Sequence, residues 1–334
     1  EQQYLGWEFF RREPHFQFPL GKLNGLGLGL TKSIVFTDSI PLLAIPAKWL
    51  MAGVNGPIQI TGLWILISSS LMHYFGMTCL RALGTESINA NILSISIMAS
   101  ASFLNRFHGN HGIAAHLGQW LILAAIALST TNRRQKRAWT ALLVASILIN
   151  FYLFAMVLVI SLSTDSSRKA CLSKTCLISV AISALSAGYF DVSKLLQQSG
   201  YSSQGVYGTF KWNTLSMLNP YPGWSGIIPS LWEVNNGEYE GFSYLGLIAF
   251  AGIASAALIS IRGKRAEQLD QLKRIRPLLI PTCAMALFAM TLSIGIGPME
   301  LSITGLPWPL SIIGNTFRAS GRFIWPLYYV IIVS

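Results

Sequence analysis

The sequence predicts an all-α polytopic membrane protein, and three observations predict it. Hydrophobic residues fill 52% of the 334 positions and charged ones only 11%, against about a quarter charged in soluble domains. Apolar stretches of spanning length recur along the chain, and the mean hydropathy is +0.50. Lys and Arg gather in three short runs between those stretches. The 17 Phe, 11 Tyr and 10 Trp also exclude disorder, because a disordered chain carries little such surface. A net charge of +11 would suggest nucleic acid in a soluble protein. In a membrane protein, basic cytoplasmic loops account for it, so no nucleic-acid partner is expected.

The chain opens on EQQYLGWEFFRREPHF, without a basic or apolar leader, and closes inside the apolar run RFIWPLYYVIIVS. Both ends read as cuts through a longer protein, giving one transmembrane domain over 1–334, incomplete at each end. Spans are expected at 57–80, 88–104, 113–130, 138–163, 175–190, 244–261 and 277–295. Residues 1–56 then form a first periplasmic loop. Within it the stretch 33–54, apolar but interrupted by Asp38, Pro41, Pro46 and Lys48, reads as an interfacial or re-entrant helix.

Orientation follows from the basic runs at 133–137, 168–174 and 262–276, all of which belong on the cytoplasmic side. A single span over 138–163 would put the first two on opposite sides. A re-entrant helical hairpin broken at Asn150–Tyr152 satisfies both, since a dozen residues at about 1.5 Å each reach only halfway through a core of about 30 Å. One tilted span with the rule broken once is the alternative. Under the hairpin topology the cytoplasmic side has 14 basic and 4 acidic residues, and the outer side has 10 and 9. The charge is thus an orientation signal, and the nearly neutral outer face mixes opposite charges as a reaction site needs. Cys79, Cys171, Cys176 and Cys283 fit no zinc spacing and read as buried apolar residues.

Polar chemistry collects in the outer segments. Asp38, in TDSIPLLAIP, puts a carboxylate into an apolar run, where it either caps the following helix or works. NRFHGNHGIAAH gives His108, His111 and His116, which could hold a divalent metal, a phosphate or structural hydrogen bonds. The large periplasmic loop 191–243 is rich in Gly, Pro, Asn and Ser yet carries Trp212, Trp224, Trp232, Tyr221 and Tyr239. Aromatic faces beside Glu238 and Glu240 suit a sugar, and an interfacial aromatic belt is equally natural. NTFRASGRF sets Arg318 and Arg322 four apart, on one face if helical, where they would meet a lipid phosphate or pyrophosphate, ordinary headgroups or loop carboxylates.

The strings YLGWEFFRREPHF, SIVFTDSIPLLAI, HGNHGIAAHLGQWLIL, NTLSMLNPYPGW, EYEGFSYLGL and FRASGRFIWPLYY occur in that order. Together they resemble a family of large bacterial inner-membrane proteins related to the glycosyltransferase C (GT-C) superfamily. The resemblance covers most of the chain. It implies a GT-C-like helix bundle that takes a sugar from a polyprenyl-phosphate-type donor at the periplasmic surface, with membrane lipids and the lipid-linked donor as partners. It implies an acidic base or metal ligand in the first outer loop. The family's acidic residue is expected just ahead of Glu1, leaving Glu1 and Asp38 as catalytic candidates here. Where the family shows His-Pro-Tyr, this chain has Asn150, Phe151 and Tyr152. Substrate and phosphate contacts fall to Arg318, Arg322, His108, His111, Glu240, Tyr239 and Trp224, with the metal requirement and oligomeric state left open. A transporter or flippase for lipid-linked glycans, or a non-catalytic membrane subunit, is the alternative; inverted repeats and midplane charges would mark the transporter.

Overall fold

A computed structural model describes residues 2–25, 33–107, 113–131, 135–190, 207–235, 237–261, 265–303 and 308–334. The described chain is all-α apart from one two-stranded hairpin. In order it contains α1 (Gln2–Phe10), α2 (Pro41–Leu50), α3 (Thr61–Ala82), α4 (Ser87–Met98), α5 (Ala101–Leu104), α6 (Trp120–Thr130), α7 (Lys136–Ile149), α8 (Phe151–Ser161), α9 (Asp165–Cys171) and α10 (Lys174–Ala187). After the outer loop come α11 (Gly246–Ile261), α12 (Arg265–Met290), the antiparallel strands β1 (Ser293–Ile296) and β2 (Met299–Ser302), α13 (Trp308–Thr316) and α14 (Trp325–Val333).

One helix among the described residues, α3, is long and apolar enough to cross a membrane. Two further candidates are bent pairs: α4 with 101–107, at 43°, and α9 with α10, at 55°. The remaining expected spans have other bounds than drawn, and the helix that holds 277–290 starts earlier, at Arg265. The 113–130 stretch opens with a 3₁₀ segment, Ala114–Gln119, and only then becomes α6. The 277–295 stretch ends at Met290 and turns into strand.

The helix WLILAAIALST has no polar face, as a core helix or a membrane span requires, and Trp120 through Ala127 are all buried. It packs on α3, α7, α8 and α14. Trp64 donates to the Ala114 carbonyl (2.7 Å) and Phe75 stacks on Trp120 at 5.4 Å, so α3 and α6 run in the same direction.

Asn150 breaks 138–163 for a local reason. Its extended backbone ends α7, and its side chain accepts from the Tyr152 N–H (2.9 Å), capping α8. The two helices therefore fold into a helical hairpin rather than one rod. α10 lies along α7 in the same direction: Lys136 and Arg137 share a groove with Ser173 and Thr175, and Tyr189 donates to the Ile147 carbonyl (2.8 Å). The 168–174 run is thus brought back beside the start of α7. Arg274 of the third run donates to the Ala82 carbonyl (2.9 Å) at the end of α3. The described basic residues of all three runs lie at one end of the bundle.

The 207–243 segment is folded over the opposite end. Its backbone bonds to α12 and β1, through Trp212 to Ala289 (2.8 Å) and Thr214 to Gly295 (2.9 Å). Residues 1–56 are more than a loop: α1 and α2 close a second small core around Trp7, Phe10, Leu23 and Ile34. All four cysteines are free, three buried and Cys283 exposed.

Candidate functional site

A cavity of about 950 Å³ lies between Asp38, the α7–α8 hairpin, α10, Tyr239–Glu240 and the 316–322 turn. Its two ends differ in chemistry. Asp38, Tyr239, Glu240, Arg318 and Arg322 line one end. The other is an apolar arm, built from Phe151, Phe154 and Leu158 on α8 and from Leu177, Val180, Ala181 and Ala184 on α10. Those spacings are i, i+3, i+4 and i+7, so each helix gives one face to the arm.

Asp38 stands at the junction. It ends a 3₁₀ turn, Ile34–Thr37, with φ 57°, and Ile40 two residues later has φ 50°. Left-handed geometry is costly for a β-branched residue. It swings the chain so that Ile40, without a side-chain cap, starts α2. The helix-capping alternative for Asp38 is therefore set aside: among the described residues the carboxylate caps nothing and faces the cavity. Burial raises its pKa above the ordinary range, Arg322 opposes the rise, Glu240 adds to it and Arg318 opposes it again.

Glu240 has a different job from the one its sequence suggested. Arg322 grips it with Nε on Oε2 (2.9 Å) and Nη2 on Oε1 (2.5 Å), while Arg106 Nη1 meets Oε2 (3.0 Å) and Nη2 meets the Glu240 carbonyl (3.1 Å). Burial resists charging Glu240, but Arg322 and Arg106 outweigh it and hold the pKa far below the usual carboxylate range. The site at Glu240 is thus an ion triad, and its carboxylate is not free to receive sugar hydroxyls. Arg322 likewise has two of its three nitrogens committed, which corrects its reading as a free phosphate fork. Arg106 lies 5.0 Å from the Trp325 ring and Arg322 4.7 Å from the Tyr152 ring.

Two glycines permit the close approach. A Cβ on Gly241 would fall 2.6 Å from Trp212 Cα, and one on Gly321 would fall 2.7 Å from the Lys211 carbonyl oxygen. The turn that holds the arginines is pinned from α8. Phe317 stacks on Phe151 at 5.1 Å, and the Tyr152 hydroxyl accepts from the Ala319 N–H (3.1 Å). α13 stops at Thr316 and a 3₁₀ turn starts at Ser320, so Arg318 and Arg322 do not share a helical face. Arg322 is buried, whereas Arg318 is exposed and makes no ion pair or hydrogen bond among the described residues. Among the described residues, Arg318 is the cavity's uncommitted cation.

Of the residues expected from sequence, Asp38, Tyr239, Glu240, Arg318 and Arg322 line one cavity. Trp224 does not: it packs on Phe242 (5.3 Å) within the outer segment. Glu1, His108 and His111 lie outside the described residues. His116 is fully buried edge-on to Trp325. Sequence reading noted Arg106 beside the histidines of its loop but gave it no site role, since nothing local shows that it meets Glu240. It used Tyr152 only as part of the break in the hairpin and gave it no site role. Among the described residues no three His, Cys, Asp or Glu side chains gather into a group that could hold a metal ion.

No curated protein and no solved structure matches the chain. A family model described as "Domain of unknown function (DUF6311)" matches residues 1–334, so the chain belongs to that family.

Proposed function

We propose that the chain is a multi-pass protein of the bacterial inner membrane that moves a sugar from a polyprenyl-phosphate-type donor to an acceptor hydroxyl at the periplasmic face. The cavity carries this reading. A charged end opening into an apolar arm between two helices matches a molecule with a phosphate at one end and a hydrocarbon chain at the other.

The membrane part has separate support. α3 rises about 33 Å over its 22 residues, enough for a core of about 30 Å. The outward faces of α4 and α10 are apolar, with Ile88, Ile92, Ile178 and Ile182 all more than half exposed, a surface that lipid would cover. The basic residues gather at the end opposite the cavity's charged head, as the cytoplasmic side demands.

In the reaction, the donor phosphate sits by Arg318, with the Arg322 side of the triad behind it. The acceptor O–H lies at Asp38. The bond from the sugar's anomeric carbon to the phosphate oxygen breaks, that carbon bonds to the acceptor oxygen, and the acceptor proton goes to the Asp38 carboxylate. General-base help of this kind gives about 10² to 10⁴ in rate, and Arg318 stabilises the charge that returns to the phosphate. Purified full-length protein with Asp38→Asn and, separately, Arg318→Ala tests this with a radiolabelled polyprenyl-phosphate sugar. Transfer falls at least 100-fold in the first; unchanged transfer in both overturns the proposal.

A further inference from the structure

A second groove of about 740 Å³ runs between α7 and α10 on the side away from the donor cavity, at the basic end of the bundle. Lys136 and Arg137 stand at one end with Ser173 and Thr175, and Ala141, Val144 and Ile182 give it an apolar wall among the hydroxyls of Thr140, Ser179 and Ser183. Neither cation makes a salt bridge among the described residues, and the nearby Asp165 is taken by Arg168. The lining contains no carboxylate. The 14-residue α10 starts at the same mouth, capped by Ser173, and turns its positive end toward it. Ile182 is 58% exposed, so the groove opens outward rather than into the bundle.

From this we infer that the α7–α10 groove binds one anionic phospholipid, its phosphate on Lys136 and Arg137 and an acyl chain along Val144 and Ile182. Two cations, hydroxyl donors and a helix N-terminus suit a phosphate, and the apolar wall of Ala141, Val144 and Ile182, open to the outside, accounts for a lipid rather than a free ion. The lipid would brace α10, whose other face lines the donor arm with α8. The inference rests on the membrane part of the proposed function and not on sugar transfer.

Native mass spectrometry of the detergent-purified full-length protein, titrated with phosphatidylglycerol and with phosphatidylcholine of the same chains, tests it. At about 1 kcal/mol per basic residue, the K136Q/R137Q variant loses roughly 10- to 30-fold of the preference for phosphatidylglycerol. The R81Q/K273Q variant, with the same charge change elsewhere at that end, keeps it. Equal retention of the two lipids by the wild type, an equal fall in both variants, or complete displacement by millimolar inorganic phosphate overturns the inference. Because wild-type sugar transfer is assayed separately, a failure of the groove and a failure of the donor site are distinguishable.

Discussion

Replacing Glu240 with Gln tests whether the triad is a structural clamp. The substitution keeps shape and volume but removes the charge that holds two buried guanidiniums together. Three of the four hydrogen bonds around Glu240 end on its carboxylate oxygens, and charge-assisted bonds contribute about 1.5–3 kcal/mol each. Their simple sum overstates the loss, because the cavity lets water reach Arg322 and a Gln carbonyl still accepts one bond. Breaking a buried pair from one side costs about 3–5 kcal/mol, and that is the expected range. With an unfolding entropy of roughly 2.1 cal/mol/K per residue, a chain of 334 residues loses about 4–7 °C in Tm. Thermal unfolding of the detergent-purified protein, read by intrinsic Trp fluorescence, measures it. In an Arg322→Gln background the same change costs less, since only Arg106 is left unpaired, and the cycle gives a coupling of about 0.5–3 kcal/mol. A shift below 1 °C for E240Q, or full additivity with R322Q, refutes the clamp.

Three further outcomes follow from the same geometry. Arg318→Ala raises the KM for the lipid-linked donor with Tm within about 1 °C of wild type, whereas Arg322→Ala lowers Tm by several degrees, because only the second arginine is committed to Glu240; parallel behaviour of the two variants refutes the division. The rate of transfer rises with pH through the pKa of Asp38, which burial raises above the ordinary carboxylate range, because the base must be unprotonated; a pH–rate profile in which Asp38→Glu also loses the acid limb contradicts this. Asn150→Ala removes the α8 cap and costs about 1 kcal/mol, or about 1–2 °C, while Asn150→Ser keeps most of it.

The helices were legible wherever one residue type decides the matter. The apolar 113–130 stretch read as a span and is helical over 120–130, and the basic runs at 133–137 and 168–174 favoured a reversal near Asn150 over one tilted span. The reversal is seen in the packing of α7, α8 and α10. What the sequence could not show was pairing across distance. Glu240 reads as a sugar contact beside Tyr239 until Arg106, 134 residues earlier, and Arg322, 82 later, are brought onto it. The four-residue spacing of Arg318 and Arg322 suggested a shared face, but the helix stops at Thr316 and the turn that follows gives each arginine its own surroundings. Trp224 belonged to a segment correctly read as folded; its ring is used in that segment's own packing against Phe242. The end of α12 was drawn too far because 293–295 is apolar and small enough to pass for helix, yet pairs with β2 instead.

The charge balance at the cavity head decides what it attracts. Arg106, Glu240 and Arg322 together leave one net positive charge buried, and Arg318 adds another at the surface, against the single carboxylate of Asp38. An excess cation held in a low-dielectric wall acts over a longer range than one in water, so the head favours an anion even though the outer face as a whole is nearly neutral. The same field works on Asp38. Arg322 and Arg318 pull its pKa down while burial and Glu240 push it up, and the outcome is a net rise. On the proposed function, a phosphate beside Arg318 would cancel part of the downward pull and make Asp38 a stronger base with the donor bound than without it. Arrival of the anionic end would thus raise the basicity of the carboxylate with no movement of the triad, and on the same proposal Glu240 would act by fixing Arg322, and with it the field, without touching the reacting atoms.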